Sequence, residues 1–210
     1  AEFHSESPEA YFVHTAGLRV VAASNPQDAH LLLRQAIASD DPVVFFEPKR
    51  LYHSKGEVDL DIDLADAPPM HLARVAREGT DATIVTYGAQ VRTALDAALA
   101  AEDEGISLEV VDLRSLSPMD LNTVAASVRK TGRVVVTHEA ARQGGVGAEI
   151  VASITERCFH HLETPPQRVT GHDIPYPPAK LEKHHVPDLD RILHAVDRVL
   201  DRPSPTEVAR

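Results

Sequence analysis

The sequence predicts an α/β protein in which helices cover both faces of a parallel β-sheet. Short apolar strands alternate with amphipathic helices from residue 82 to residue 200, an order typical of a three-layer sandwich. A separate strand-helix-strand unit lies earlier, at residues 18–46, and such units also build parallel sheets. The 210 residues are 43% hydrophobic but only 4% aromatic, so we expect a core of Val, Leu, Ile and Ala.

The first predicted unit, residues 1–47, is short for a sheet of its own. A buried strand at residues 18–23 precedes a helix that starts at Asn25-Pro26, where a capping side chain is followed by proline in the first turn. A second apolar strand follows at residues 43–46. Because two parallel strands are too few for a stable sheet, we expect that the unit packs on the rest of the chain or on another chain, or that its first half is missing.

Residues 48–81 predict a linker between two domains, since they contain Pro48, Gly56 and a Pro-Pro pair. Within this linker the alternation of aliphatic residues with aspartates has a period of two, which predicts an edge hairpin around residues 58–62. Alternating acids also suggest a calcium loop. The glycine at the sixth position and the acid at the twelfth position of such a loop are absent.

Residues 82–201 predict a second domain, and residues 202–210 predict a disordered tail. The four strands of this domain are expected at residues 82–88, 108–116, 133–137 and 167–170. The four helices are expected at residues 91–101, 117–130, 148–161 and 189–200. This alternation places the two domains in the same class, with a larger sheet in the second.

Composition and charge exclude several classes of function. The net charge of −11, from 32 acidic and 21 basic residues, argues against a nucleic-acid partner, which needs a basic surface. No apolar run approaches the roughly 20 residues of a membrane span, and the polar start shows no signal peptide. The only cysteine is Cys158, so no disulfide framework exists and a cytoplasmic location is expected.

The stretch at residues 133–150 is the first candidate for chemistry. The glycines of residues 144–147 lead a strand into a helix, which suggests either a phosphate loop or a tight turn with close backbone packing. His138-Glu139 ends the strand either as an acid/base pair or with His138 as a hydrogen-bonded structural histidine at the edge of the sheet. Cys158 follows an apolar helix face, and no histidine pair has zinc-like spacing. Residues 47–50 follow the end of a strand and are either a charged linker or functional groups.

Four stretches together resemble a known family. Residues 4–21 (HSESPEAYFVHTAGLRVV), 42–52 (PVVFFEPKRLY), 137–150 (THEAARQGGVGAEI) and 158–182 (CFHHLETPPQRVTGHDIPYPPAKLE) are similar to the beta subunit of the thiamine-diphosphate-dependent decarboxylase component of 2-oxo acid dehydrogenase complexes. Within that family the second and fourth stretches look more like the branched-chain 2-oxo acid enzymes than the pyruvate type.

The resemblance implies a fold for each predicted domain. Residues 82–201 correspond to a transketolase C-terminal-type domain, and residues 1–47 to the second half of a pyrimidine-binding domain. The family carries roughly a hundred further residues upstream, among them the glutamate that activates the cofactor, so the chain is expected to be N-terminally truncated. No residue of this chain is therefore expected to bind the cofactor.

The resemblance also implies site residues. The active-site histidine of the family corresponds to His4, which would donate a proton to, or position, the lipoyl sulfur. A structural potassium ion, held largely by main-chain carbonyls, would take Ala36, Ser39 and Asp41 at a helix end. Because the other potassium ligands fall upstream, this site is expected to be incomplete.

The partners implied are an alpha subunit, a second beta subunit and the dihydrolipoyl acyltransferase component, whose basic docking domain suits a charge of −11. The expected activity is oxidative decarboxylation of branched-chain 2-oxo acids with transfer of the acyl group to lipoyl groups. A pyruvate dehydrogenase beta subunit is the alternative, and the isolated 210-residue chain could instead be a non-catalytic module for dimerisation and docking.

Overall fold

The structure, a computed structural model, describes residues 5–202, which form two β-sheets flanked by helices. The helices are α1 (Glu9–Val13), α2 (Pro26–Ile37), α3 (Gln90–Glu102), α4 (Leu121–Thr131), α5 (Val146–Cys158), α6 (Glu182–His185) and α7 (Leu189–Val199). The strands are β1 (Arg19–Ala22), β2 (Val43–Phe46), β3 (Arg74–Arg77), β4 (Ala82–Thr86), β5 (Leu108–Asp112), β6 (Ser115–Ser117), β7 (Val134–Ala141) and β8 (Gln167–Gly171).

The first sheet completes the short strand-helix-strand unit with a strand from much later in the chain. Its order is β2-β1-β6; β1 pairs parallel with β2 and antiparallel with β6, with Val20 opposite Ser117. The single strand predicted at residues 108–116 is wrong, because the chain leaves β5, turns at Arg114 with a φ of 57°, and enters the other sheet as β6. The unit therefore packs on the second domain, as one of the three expectations had it.

The second sheet has the order β3-β5-β4-β7-β8. Its last four strands run parallel, as predicted, but β3 pairs antiparallel with β5 and makes the sheet mixed. Strand β3 lies inside the predicted linker. The hairpin expected at residues 58–62 is wrong: Asp59 accepts the N–H of Asp61 at 3.0 Å and Leu60 is 68% exposed, so local turns replace a strand.

Two layers of helices cover the second sheet and create two apolar cores. Helices α3 and α7 pack on one face, and α4 and α5 pack on the other. The α4–α5 core also contains Val20 and Ala22 of β1, so the two sheets share buried apolar surface. Burial of this kind stabilises by roughly 25 cal/mol per Å², which makes the arrangement of the two units part of the folded state.

Capping side chains define the starts of the helices more sharply than the periodicity of apolar residues does. Asn25, Asp120 and Asp188 each accept the N–H of the residue three positions later, at the starts of α2, α4 and α7. Asp120 moves the start of α4 to Leu121, four residues after the predicted one. The polar start of the chain contains the short helix α1, which begins at Glu9 and packs Phe12 on Phe46 at 5.8 Å between ring centroids.

A buried charge network ties the first sheet's helix to the second sheet. Arg114 donates from Nε to Asp28 Oδ1 at 2.9 Å and from Nη1 to the Leu72 carbonyl at 3.0 Å. Asp112, which is fully buried, accepts the hydroxyl of Ser24 at 2.5 Å. Burial raises the pKa of Asp112, and the Ser24 hydrogen bond opposes this rise. The network gives the junction polar contacts that fix its geometry.

Candidate functional site

The carboxyl ends of the parallel strands of both sheets open onto one cavity of about 910 Å³. Its walls come from residues 5–9, from residues 46–50 after β2 and from residues 87–89 after β4, completed by Glu139, Tyr176 and Glu182 of the second domain. Parallel strands place functional groups at this edge, because the loops that follow them converge there. The cavity is therefore the candidate site of the described chain.

Carboxylates dominate the cavity wall, and most of them have a partner. Arg50 Nη1 lies 3.1 Å from Glu139 Oε1. The hydroxyl of Tyr176 donates to Glu182 Oε1 at 2.5 Å. The hydroxyl of Tyr52 donates to Glu47 Oε2 at 3.0 Å. These contacts hold three acids in defined positions around the space.

Glu9 differs from the other acids of the wall. Its Oε2 is buried and accepts no hydrogen bond from the described residues. Burial, with a smaller contribution from the nearby charge of Glu139, raises the pKa of Glu9 to about 7. Burial also raises the pKa of Glu139, although Arg50 opposes that rise. Near neutral pH the site therefore contains a carboxyl that exchanges its proton.

His138 and Glu139, the predicted acid/base pair, face opposite sides of β7. Successive side chains of a strand point to opposite faces, so Glu139 reaches the cavity while His138 is fully buried behind it. Burial lowers the pKa of His138 to about 4, and neither ring nitrogen has a hydrogen-bond partner of good geometry within the described chain. The ring stacks on Tyr87 at 6.1 Å between centroids. Burial favours a structural role for His138, but without the hydrogen bonds that the sequence led us to expect.

The glycine-rich turn packs directly against this histidine. A Cβ on Gly147 would lie 2.5 Å from His138 Nε2, and a Cβ on Gly145 would lie 2.8 Å from its Cε1. Gly144 has a φ of +69°, which favours glycine. Asp173 accepts the Gln143 N–H at 2.8 Å, which places a negative charge at the turn. These contacts favour the tight turn with close packing over the phosphate loop.

The structure locates the other predicted residues as follows. His4 lies outside the described residues. Ala36, Ser39 and Asp41 lie together where α2 ends; the Ala36 carbonyl accepts the Ser39 N–H at 3.3 Å, and the Asp41 carboxylate pairs with Arg19 at 2.7 Å. One carbonyl lone pair of Ala36 is left for a cation, but the Asp41 side chain is already neutralised.

Other candidates of the sequence carry no site. Cys158 is fully buried in the α4–α5 core. Between residues 5 and 202 no group of three or more His, Cys, Asp or Glu side chains is arranged to hold a metal ion. In the same range no helix is long and apolar enough to span a bilayer.

The cavity wall does not fit the diphosphate of a thiamine cofactor. Five of its side chains are glutamates, and the basic ones are Lys49 and Arg50, of which Arg50 already pairs with Glu139. A diphosphate needs N–H donors or a cation, and this wall supplies chiefly acceptors. The described residues therefore support no reaction step on that cofactor.

Sequence reasoning missed most of the acids and tyrosines of the cavity. Glu139 and residues 47–50 were candidates, because they follow strands. Tyr87 follows β4 in the same way and could have been found by that rule. Glu9, Tyr176 and Glu182 come from segments without periodicity, so only the folded chain brings them to the site.

Comparison with known proteins places these features among characterised domains. Residues 71–192 match the transketolase C-terminal domain, and residues 1–55 match the transketolase pyrimidine-binding domain. A solved structure described as a split gene transketolase, an inactive beta4 tetramer, superposes with a TM-score of 0.74 at 24% identity, over 92% of this chain and 61% of that one. At this identity the superposition supports the fold alone.

Relatives of higher identity are subunits of dehydrogenases. The beta subunit of the pyruvate dehydrogenase E1 component of Leifsonia xyli subsp. xyli is 56% identical over 95% of this chain. The beta subunit of 3-methyl-2-oxobutanoate dehydrogenase of Mycobacterium tuberculosis is 54% identical over 97%. The mitochondrial 2-oxoisovalerate dehydrogenase beta subunit of Dictyostelium discoideum is 51% identical over 89%. The chain spans 58%, 58% and 50% of these three proteins.

Proposed function

The chain belongs to the transketolase C-terminal domain family and also matches the transketolase pyrimidine-binding domain, and we propose that it is part of the beta subunit of a 2-oxo acid dehydrogenase. The observation that carries this proposal is its identity of 51%, 54% and 56% with three such beta subunits along 89% or more of the chain.

The substrate in this proposal is a branched-chain 2-oxo acid. Beta subunits named for 3-methyl-2-oxobutanoate or 2-oxoisovalerate, two names of one compound, are 45% to 54% identical to the chain, and the stretch at residues 42–52 has the branched-chain pattern. Pyruvate is the second candidate, because a pyruvate dehydrogenase beta subunit reaches 56% identity.

Thiamine diphosphate is the cofactor of the proposed enzyme, and it would supply the site that accepts electrons during decarboxylation. An alpha subunit and the upstream part of the beta subunit would hold it, since the acidic cavity wall of this chain does not fit a diphosphate. The 210-residue chain alone is therefore expected to be inactive. A second beta subunit and a lipoyl-bearing acyltransferase complete the proposed complex, with a cytoplasmic location.

Two site assignments belong to this proposal. His4 would act on the lipoyl sulfur, because an imidazole near neutrality both gives and takes a proton. The main-chain carbonyls of Ala36, Ser39 and Asp41 would contribute to a potassium site, because helix C-termini attract cations. Replacement of sodium by potassium should then raise the thermal midpoint of the assembled enzyme, and an unchanged midpoint would remove the assignment.

The experiment uses the complete beta subunit reconstituted with its alpha subunit. In His4→Ala, acyl transfer to lipoyl groups should fall by about 10² or more, while decarboxylation coupled to a dye acceptor should persist. Glu156→Gln, at an exposed side chain of α5 outside the cavity, is the matched control. Equal acyl transfer by His4→Ala and wild type would refute the role of His4, and absence of any 2-oxo acid decarboxylation in the wild type would refute the function.

A further inference from the structure

The acidic cavity contains hydrogen-bond acceptors that no described residue satisfies. Glu9 Oε2 and the hydroxyl of Tyr87 are both buried and without a partner, and both residues line the cavity. Tyr87 is only 4% exposed. A buried polar atom without a partner costs about 1–3 kcal/mol, so the folded chain is stabilised by any group that brings N–H donors to this wall.

The negative charge of the cavity wall favours a cation as the group that supplies the N–H donors. Glutamates at positions 6, 9, 47, 139 and 182 face Lys49 and Arg50. Arg50 is engaged by Glu139 at 3.1 Å, which leaves Glu9 without an ion-pair partner among the described residues. Burial raises the pKa of Glu9, and the charge of Glu139 adds to this rise. A positive charge between the two acids would relieve their repulsion.

Tyrosine rings in the same wall favour a planar cation. Tyr52 and Tyr176 line the cavity, and aromatic faces attract cations, arginine more often than lysine. The Tyr87 ring is stacked on His138, so this residue offers its hydroxyl oxygen instead. A guanidinium group has five N–H donors and no acceptor, so it can serve a carboxylate and a phenol oxygen at once. An ammonium group presents its donors without that flat face.

We propose that this cavity receives the guanidinium group of an arginine side chain presented by another polypeptide chain. The space of about 910 Å³ is large enough for an arginine together with its neighbours, since ligand pockets for whole small molecules start at about 300 Å³. A free amino acid fits less well, because its carboxylate would meet the glutamates of the wall. The proposal does not depend on the proposed dehydrogenase function.

Direct binding of small probes tests the proposal in the 210-residue chain at pH 8. The probes are butylguanidinium, its neutral isostere butylurea, free arginine, and the blocked peptide acetyl-Ala-Arg-Ala-amide, each titrated by NMR chemical-shift changes. We expect the blocked peptide and butylguanidinium to bind, free arginine to bind more weakly, and butylurea not to bind. Equal affinity for butylurea and butylguanidinium would refute a cation site, and tightest binding by free arginine would refute a polypeptide source.

Variants of cavity residues show where the blocked peptide binds. Glu9→Gln should weaken the affinity for the blocked peptide by about tenfold or more, because it removes a charged acceptor. Tyr87→Phe, which keeps the ring, should cause a smaller loss. Glu156→Gln lies outside the cavity and should bind like the wild type. Unchanged binding by a folded Glu9→Gln, verified by circular dichroism, would overturn the proposal, whether or not the complete subunit proves to be a dehydrogenase.

Discussion

Replacement of Gly147 by alanine has two effects of opposite sign on the stability of the fold. Gly147 is the second residue of α5, where alanine is favoured over glycine by about 1 kcal/mol on helix propensity. The new Cβ would lie 2.5 Å from His138 Nε2 and 2.7 Å from its Cδ2, whereas carbon contacts are optimal at about 3.5–4.0 Å. The overlap of about 1 Å must be removed by a shift of the ring or of the helix.

Neither shift is cheap, because His138 is fully buried, stacks on Tyr87 and also meets Gly145. Overpacking in a closed core costs about 1–3 kcal/mol or more. The packing cost exceeds the gain in helix propensity, so we expect Gly147→Ala to lower the free energy of unfolding by up to roughly 2 kcal/mol. Urea unfolding followed by circular dichroism measures the change.

A double-mutant cycle assigns the loss to the histidine. In a His138→Ala background the ring is gone, so Gly147→Ala should be neutral or stabilising, with a coupling energy of about 1 kcal/mol or more. Ala152→Gly, at an exposed position of the same helix, gives the local scale of helix propensity. A stabilised Gly147→Ala in the wild-type background would refute the packing account of the glycine-rich turn.

Three further predictions, which concern Arg114, Lys130 and Glu9, test other parts of the structure. Arg114→Leu removes the buried guanidinium that pairs with Asp28 and leaves that acid only the half-exposed Arg74 as an ion-pair partner, so it should cost roughly 1–3 kcal/mol in urea unfolding. Arg92→Leu, which removes an exposed ion pair within α3, should cost less than about 1 kcal/mol. Lys130→Met removes the partly exposed ammonium partner of fully buried Glu109, which keeps the Gly79 N–H as a donor, and should cost roughly 1–3 kcal/mol. A cost below about 1 kcal/mol, or unfolding that begins in one sheet only, would contradict the buried networks. Because the pKa of Glu9 is raised to about 7, the folded protein keeps a proton that the unfolded chain loses near pH 4.5. The free energy of unfolding of the wild type should therefore fall by up to roughly 3 kcal/mol from pH 5 to pH 8, whereas that of Glu9→Gln should not show this fall. Parallel pH profiles of the two proteins would contradict the burial of Glu9.

Regular elements of the fold could be predicted from the sequence, because their signals are local. The strand at residues 43–46 has the bounds of β2, and the strands at residues 82–88 and 167–170 contain or overlap β4 and β8. Strand β6 could not be predicted: its three residues gain their partner only when the chain turns at Arg114. Strand β3 is an edge strand whose pairing likewise depends on a distant partner.

The candidate site could be predicted only at its sheet edge. Residue Glu139 was found because it follows a run of β-branched residues, and strand alternation explains why it separates from His138. Glu9 and Tyr176 lie far apart in sequence and reach the cavity through α1 and an irregular loop. Their roles depend on burial and on neighbouring charges, which no local pattern reports.

The substrate profile of the complete beta subunit, assembled with its alpha subunit and thiamine diphosphate, tests the central proposal most directly. We expect kcat/KM for decarboxylation to be highest with 3-methyl-2-oxobutanoate and lower with pyruvate and 2-oxoglutarate. A preference for pyruvate would contradict the branched-chain proposal, and no decarboxylation of any of the three acids would contradict the assignment to 2-oxo acid dehydrogenases.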